Sequence, residues 1–161
     1  MGKIYDMGAA GVMGLFDSVF NEEQAEKKIE LKPEEAFAAV ALVAIAADGY
    51  LSDQEGRDMT HMLERMHLFQ SYSHEVMHRM FDKLLSVLKL QGPSTLIDLA
   101  KAQLPQDLRE TAFAIATDLV LSDGTVTSQE QAFLDDLYRI LEIPGDTALQ
   151  IVQVMTIKNR G

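Results

Sequence analysis

One pattern recurs in this chain and limits what it can fold into more than any other feature. Ala47-Asp48-Gly49-Tyr50-Leu51-Ser52-Asp53-Gln54-Glu55 returns 75 positions later as Ser122-Asp123-Gly124-Thr125-Val126-Thr127-Ser128-Gln129-Glu130. Both copies read Asp-Gly, any residue, an aliphatic, a hydroxyl residue, any residue, Gln-Glu. Each follows a run of small apolar residues and precedes a charged amphipathic run. The offset reaches past the turn. Met59, Met62, Leu63, Met66 and Leu68 align with Leu134, Leu137, Tyr138, Leu141 and Ile143, and Val76 and Met80 align with Ile151 and Met155. Apolar meets apolar at almost every candidate core position. Two copies are too few for a stacked solenoid. The expectation is a duplicated bundle with approximate internal two-fold symmetry.

The periodicity makes that bundle all-α. No segment sustains period-two alternation or clusters β-branched residues, so no sheet is predicted. About seven to eight helices are predicted around two central apolar ones. Pro33-Glu34-Glu35 is a good helix start, since proline's missing N–H is not needed in the first turn and the acids suit the N-terminal dipole. From Phe37 to Ala47 there is no polar residue, the mark of a helix buried on all sides. That helix is predicted to end at Gly49. The second central helix runs from Pro105 to Gly124, with Ala112, Phe113, Ile115, Ala116, Leu119 and Val120 as its core. Between them lie a helix opened by Ser52, a turn at Gln70–Ser73, a helix that stops at Gly92-Pro93 and a short helix capped by Ser94. Helices from Thr127 and after Pro144-Gly145-Asp146 complete the chain.

At 161 residues the chain is long enough for one structural domain with a real core. Within it, residues 1–33 read as an N-terminal helix and charged connector, and residues 34–161 as the helical domain. The N-terminal run Met7–Phe16 lacks a signal-peptide cleavage site, and Asp6 stands where a myristoylation signal wants Ser or Thr. Val12, Leu15, Phe16, Val19 and Phe20 fall on one side of a glycine-loosened helix over residues 7–20. That helix either packs as a terminal element or touches a membrane surface, and packing is the expectation. The longest uncharged apolar run, Ala36–Ala47, is far short of the ~20 residues a transmembrane helix needs.

Charge narrows the partners. With 25 acidic and 14 basic residues the formal charge is −11, which repels nucleic acid and attracts cations or basic partners. The absence of Cys removes thiolate chemistry and fits a reducing cytoplasm.

What the doubled turn does has a plain answer and a sharper one. In the plain answer, Ser52…Glu55 and Thr127…Glu130 are capping boxes, the hydroxyl serving the third helical N–H and the Glu reaching back to the cap N–H. This leaves Asp48 and Asp123 unexplained, because each follows a helix C-terminus, where an anion costs ~0.3–1 kcal/mol. In the sharper answer the turns bind a hard cation. Asp-Gly-x-aliphatic-x-x-x-Glu matches the back half of an EF-hand loop. The front half is missing, since Ala44 and Ala46 in one copy, and Leu119 and Leu121 in the other, stand where ligands belong. Neither turn alone can supply the 6–8 oxygens Ca²⁺ wants. Pooling Asp48, Glu55, Asp123 and Glu130 from both turns, with carbonyls and water, would make a Ca²⁺ or Mg²⁺ site. Asp118, opposite Val43 in the repeat, either adds an acid near that site or faces solvent.

With these motifs, AADGYLSDQE (Ala46–Glu55) and LSDGTVTSQE (Leu121–Glu130), the chain from about Glu34 to Ile157 resembles the tellurite-resistance TerB-like family. The N-terminal part of a membrane-anchored J-domain co-chaperone shares the superfamily, so fold alone does not fix function. The resemblance implies a non-enzymatic, acidic cation-binding or partner-binding module of a bacterial stress response, whose partners would be a metal ion and other stress-response proteins.

A competing motif is His74-Glu75-Val76-Met77-His78, an HExxH pattern. Two imidazoles four apart on a helix can hold Zn²⁺ or Ni²⁺, with the Glu as general base. Against it stand its place in the first turns of its helix, the adjacent Arg79, and the lack of a following glycine turn with a third ligand. His61 or His67, on the preceding helix, could complete a site only if packing brings them close. Three readings follow in order: a non-enzymatic cation-binding stress-response module, an interaction adaptor whose acidic turns are only caps, and a zinc hydrolase.

Overall fold

In the computed structural model, residues 29–47, 49, 51–122 and 124–161 are described. They belong almost entirely to the second of the two units into which the chain divides, Leu31–Gly161. The expected helix over residues 7–20, with its packing or membrane contact, lies outside the described residues.

The described residues form six α-helices, one 3₁₀ turn and no strand. They are α1 (Pro33–Ile45), α2 (Asp53–Glu64), a 3₁₀ turn (His67–Phe69), α3 (His74–Gln103), α4 (Gln106–Leu121), α5 (Ser128–Ile140) and α6 (Gly145–Lys158). α1 begins with Pro33 in its first turn beside Glu34 and Glu35. Every residue from Ala36 to Ile45 is buried, as an apolar run with no polar face requires. α1 packs chiefly on α3 and on α4, and α4 in turn packs on α6; α2 and α5 lie more lightly against α1 and α4. α1 and α4 are therefore the central pair. Phe37, Phe69 and Phe113 are among the largest fully buried side chains. Phe37 meets Phe69 edge-on, with ring centroids 6.3 Å apart.

Two expectations about helix ends change. Gly92 has φ 87° and ψ 167°, so it breaks the helix as the Gly-Pro pair predicts. Yet Pro93 and Ser94 are already helical, and the chain resumes its turn at once rather than passing through a loop capped by Ser94. A proline in the first turn after a break gives up no hydrogen bond, so no loop is needed. The helical stretches on either side of Gly92 are counted together as α3. α1 ends at Ile45, four residues before Gly49. Gly49 (φ 86°) sits instead in the following turn, its N–H donating to Ala46 O at 2.9 Å. Gly124 (φ 82°) repeats this after α4, donating to Leu121 O at 3.1 Å. A Cβ would meet nothing within 4 Å at either glycine, so backbone conformation and not space favours glycine there.

Candidate functional site

Both turns lead into helices through the same local structure. At the start of α2 the Glu55 N–H donates to Ser52 Oγ (3.1 Å), while Glu55 Oε1 accepts from the Ser52 N–H (3.1 Å) and from Ser52 Oγ (3.0 Å). At the start of α5 the Glu130 N–H donates to Thr127 Oγ1 (3.1 Å) and Glu130 Oε1 accepts from the Thr127 N–H (2.9 Å). These are complete capping boxes. Only Oε1 of each glutamate is engaged. Among the described residues neither Oε2 takes a hydrogen bond or an ion pair, and Glu130 is buried.

A third glutamate, which sequence reasoning passed over, tests the meaning of that geometry. Glu35 is the third residue of α1, where no Asp-Gly turn precedes. Its Oε1 accepts from the Lys32 N–H at 2.9 Å, the same back-reaching bond. Lys32 offers no acceptor to return the favour. Glu35 instead takes Lys83 Nζ at 3.1 Å from both carboxylate oxygens, tying α1 to α3. The signal was available in Pro33-Glu34-Glu35, which places a Glu third in the helix. A glutamate at this position therefore needs no ion to explain its conformation, and the ion reading rests on the aspartates. Asp48 and Asp123 lie outside the described residues. Among the described residues, no group of three or more His, Asp or Glu side chains is arranged to hold a metal ion.

Asp118 does not face solvent. It is buried on α4, and its Oδ1 accepts from Lys158 Nζ (3.1 Å) and Asn159 Nδ2 (2.8 Å). The carboxylate thus fastens the C-terminal end of α6 to the last turns of the central helix.

The HExxH residues sit where the sequence puts them, at the start of α3. The side chains of His74 and His78 are 80% and 75% exposed. His74 Nδ1 lies 3.5 Å from Glu64 Oε2, and His78 Nε2 lies 3.8 Å from Asp82 Oδ2. Both line an open cleft of about 610 Å³ between α2 and α3 that His61 also lines, along with Arg57 and Lys89. His67, the other candidate partner, is in the 3₁₀ turn and not on that cleft. Near the start of α1, Tyr72 Oη donates to Glu34 Oε2 at 3.4 Å. Burial, then the negative charges of Glu34 and Glu35, push the Tyr72 phenol above its usual range.

The sequence profile of the tellurite resistance protein TerB family matches residues 34–152. The chain belongs to the TerB family. No curated protein and no solved structure matches it. The matched span covers α1 to the middle of α6, and so includes both turns, both central helices and the α3 break of this TerB-family domain. Among the described residues no helix is long and apolar enough to cross a membrane.

Proposed function

We propose that this TerB-family chain is a non-enzymatic cation-binding module of a cytoplasmic stress-response system, with one hard cation, Ca²⁺ or Mg²⁺, shared by its two Asp-Gly turns. The reading is carried by one observation: the same Asp-Gly turn follows each of two central helices that pack on each other. Capping accounts for the hydroxyls and glutamates of both turns but not for an Asp at positions 48 and 123, just after a helix C-terminus. Carboxylate and carbonyl oxygens are the ligands that such ions take. Glu55 and Glu130 keep one oxygen each for the ion while the other stays on its cap, so binding would not cost either helix its start. Asp118 already has its charge paired with Lys158 Nζ and is left out of the ligand set.

Titration calorimetry with Ca²⁺, Mg²⁺ and Zn²⁺ tests this on the wild type and on Asp48→Asn/Asp123→Asn. The proposal expects Ca²⁺ or Mg²⁺ binding that weakens at least tenfold in the double variant. Unchanged binding would remove the aspartates from the site.

A second reading, an interaction adaptor whose acidic turns are only caps, is favoured by Glu35, which shows the same glutamate geometry with no turn before it. Zinc or nickel held by His74 and His78 is a third; both imidazoles are exposed on one cleft, but among the described residues no third ligand is arranged with them. It predicts Zn²⁺ binding lost in His74→Ala, and as a hydrolase it also predicts peptidase activity.

A further inference from the structure

An open groove of about 490 Å³ lies between α5 and the part of α3 that follows the Gly92 break. Its floor and walls are apolar: Val43 from the central helix, Ile97 from α3, and Ala132, Phe133 and Leu137 from α5. Val43, Ile97 and Leu137 are buried, Phe133 is half-buried and Ala132 is exposed. The rim carries two exposed carboxylates, Asp98 and Asp136, and among the described residues no basic side chain lines the groove. In this it differs from the cleft between α2 and α3, where Arg57 and Lys89 stand among the acids.

We propose that this groove docks an amphipathic helix of a partner protein, with aliphatic anchors on one face and Lys or Arg flanking them. Charge selects the occupant. A basic flank meets Asp98 and Asp136 within a field set by a chain of formal charge −11. A second copy of this chain would bring the same negative charge against it. Shape selects the helix. A trough between two helices accepts a third through its ridges, with anchors at i, i+4 and i+7. No strand edge is offered among the described residues for an extended peptide to pair with. The groove gives the adaptor reading its surface and stands whether or not the turns bind an ion.

Two synthetic 18-residue amphipathic helices test it, both with Leu at the anchor spacing and one flanked by Lys, the other by Glu. Their binding to the full chain is read by fluorescence anisotropy at low and moderate salt. The Lys-flanked peptide is expected to bind the wild type and to lose at least tenfold in affinity with Ala132→Arg, which fills and charges the floor from an exposed position. Asp98→Lys/Asp136→Lys is expected to reverse the preference toward the Glu-flanked peptide. Three results overturn the proposal: no binding of either peptide, equal binding of both to the wild type, or equal binding of the Lys-flanked peptide to wild type and Ala132→Arg. A wild-type dimer in sedimentation that Ala132→Arg dissolves would assign the groove to a second copy instead. Calorimetry on the aspartate variants decides the ion separately, so failure here leaves that reading intact.

Discussion

Val43 and Asp118 lie 75 positions apart, the offset between the two Asp-Gly motifs, on the two central helices, and the fold uses them in opposite ways. Val43 is 3% exposed on a helix that is apolar all round, and it ends as part of a groove floor. Asp118 is almost as buried, at 6%, yet it carries a carboxylate. The difference lies in what stands opposite. Among the described residues nothing basic lines the groove with Val43, whereas Asp118 meets the ammonium of Lys158 and the amide of Asn159. A buried charge is tolerable only when it is paired and hydrogen-bonded. The two halves therefore share local rules, in their caps and their glycine turns, while tertiary packing sets them apart.

Exchanging the two environments gives the largest expected effect. Val43→Asp would place a carboxylate with no partner in a packed site and should destabilise the domain by about 3–5 kcal/mol, the scale of an uncompensated buried charge. Urea unfolding measures it, and a loss below about 1 kcal/mol would mean that this site tolerates charge as its counterpart does. Asp118→Ala should cost less, about 1–2 kcal/mol, because Lys158 is 58% exposed and recovers water when its partner is removed. Asp118→Asn, which keeps an acceptor for Asn159, should fall between Ala and wild type in the same unfolding series. At the turns the halves should behave alike: Ser52→Ala and Thr127→Ala should each cost about 1 kcal/mol. A cap that matters at one turn only would break the likeness between the halves.

The smallest effect is a pH dependence at Tyr72, in the first half. Tyr72 has its folded value raised, so the neutral phenol is the form the fold favours. Its contribution is fully present below the ordinary tyrosine value of about 10 and is lost as pH rises from there through the folded value. Melting temperatures should therefore fall more steeply above about pH 10 in wild type than in Tyr72→Phe. Parallel curves would mean that neither burial nor the charges of Glu34 and Glu35 raise the phenol.

Much of this architecture was legible in the residues because it is set by local rules. The run without a polar residue that starts at Phe37 is buried as far as Ile45, with Ala46 and Ala47 half-buried, and Ser52…Glu55 and Thr127…Glu130 cap their helices. Other features depend on groups far away in sequence. Nothing around Asp118 announces Lys158 and Asn159, some 40 residues on, so its burial could not be read from its neighbours. Glu35 had a local signal, but its bond to Lys83 crosses 48 positions. At Gly92-Pro93 the break was legible and the immediate restart was not, because proline both ends one helix and suits the first turn of the next. In the candidate site, sequence accounts for Glu55 and Glu130 as caps, and the structure agrees bond for bond. Asp48 and Asp123 remain a proposal drawn from repetition and from the TerB family.

The central claim is that the two halves, unlike at Val43 and Asp118, act together at their turns. Calorimetric stoichiometry on the single variants tests it most directly. The account predicts one Ca²⁺ or Mg²⁺ per chain, with Asp48→Asn alone and Asp123→Asn alone each weakening that same binding event at least tenfold. Two ions per chain, with each substitution removing one and sparing the other, would contradict it.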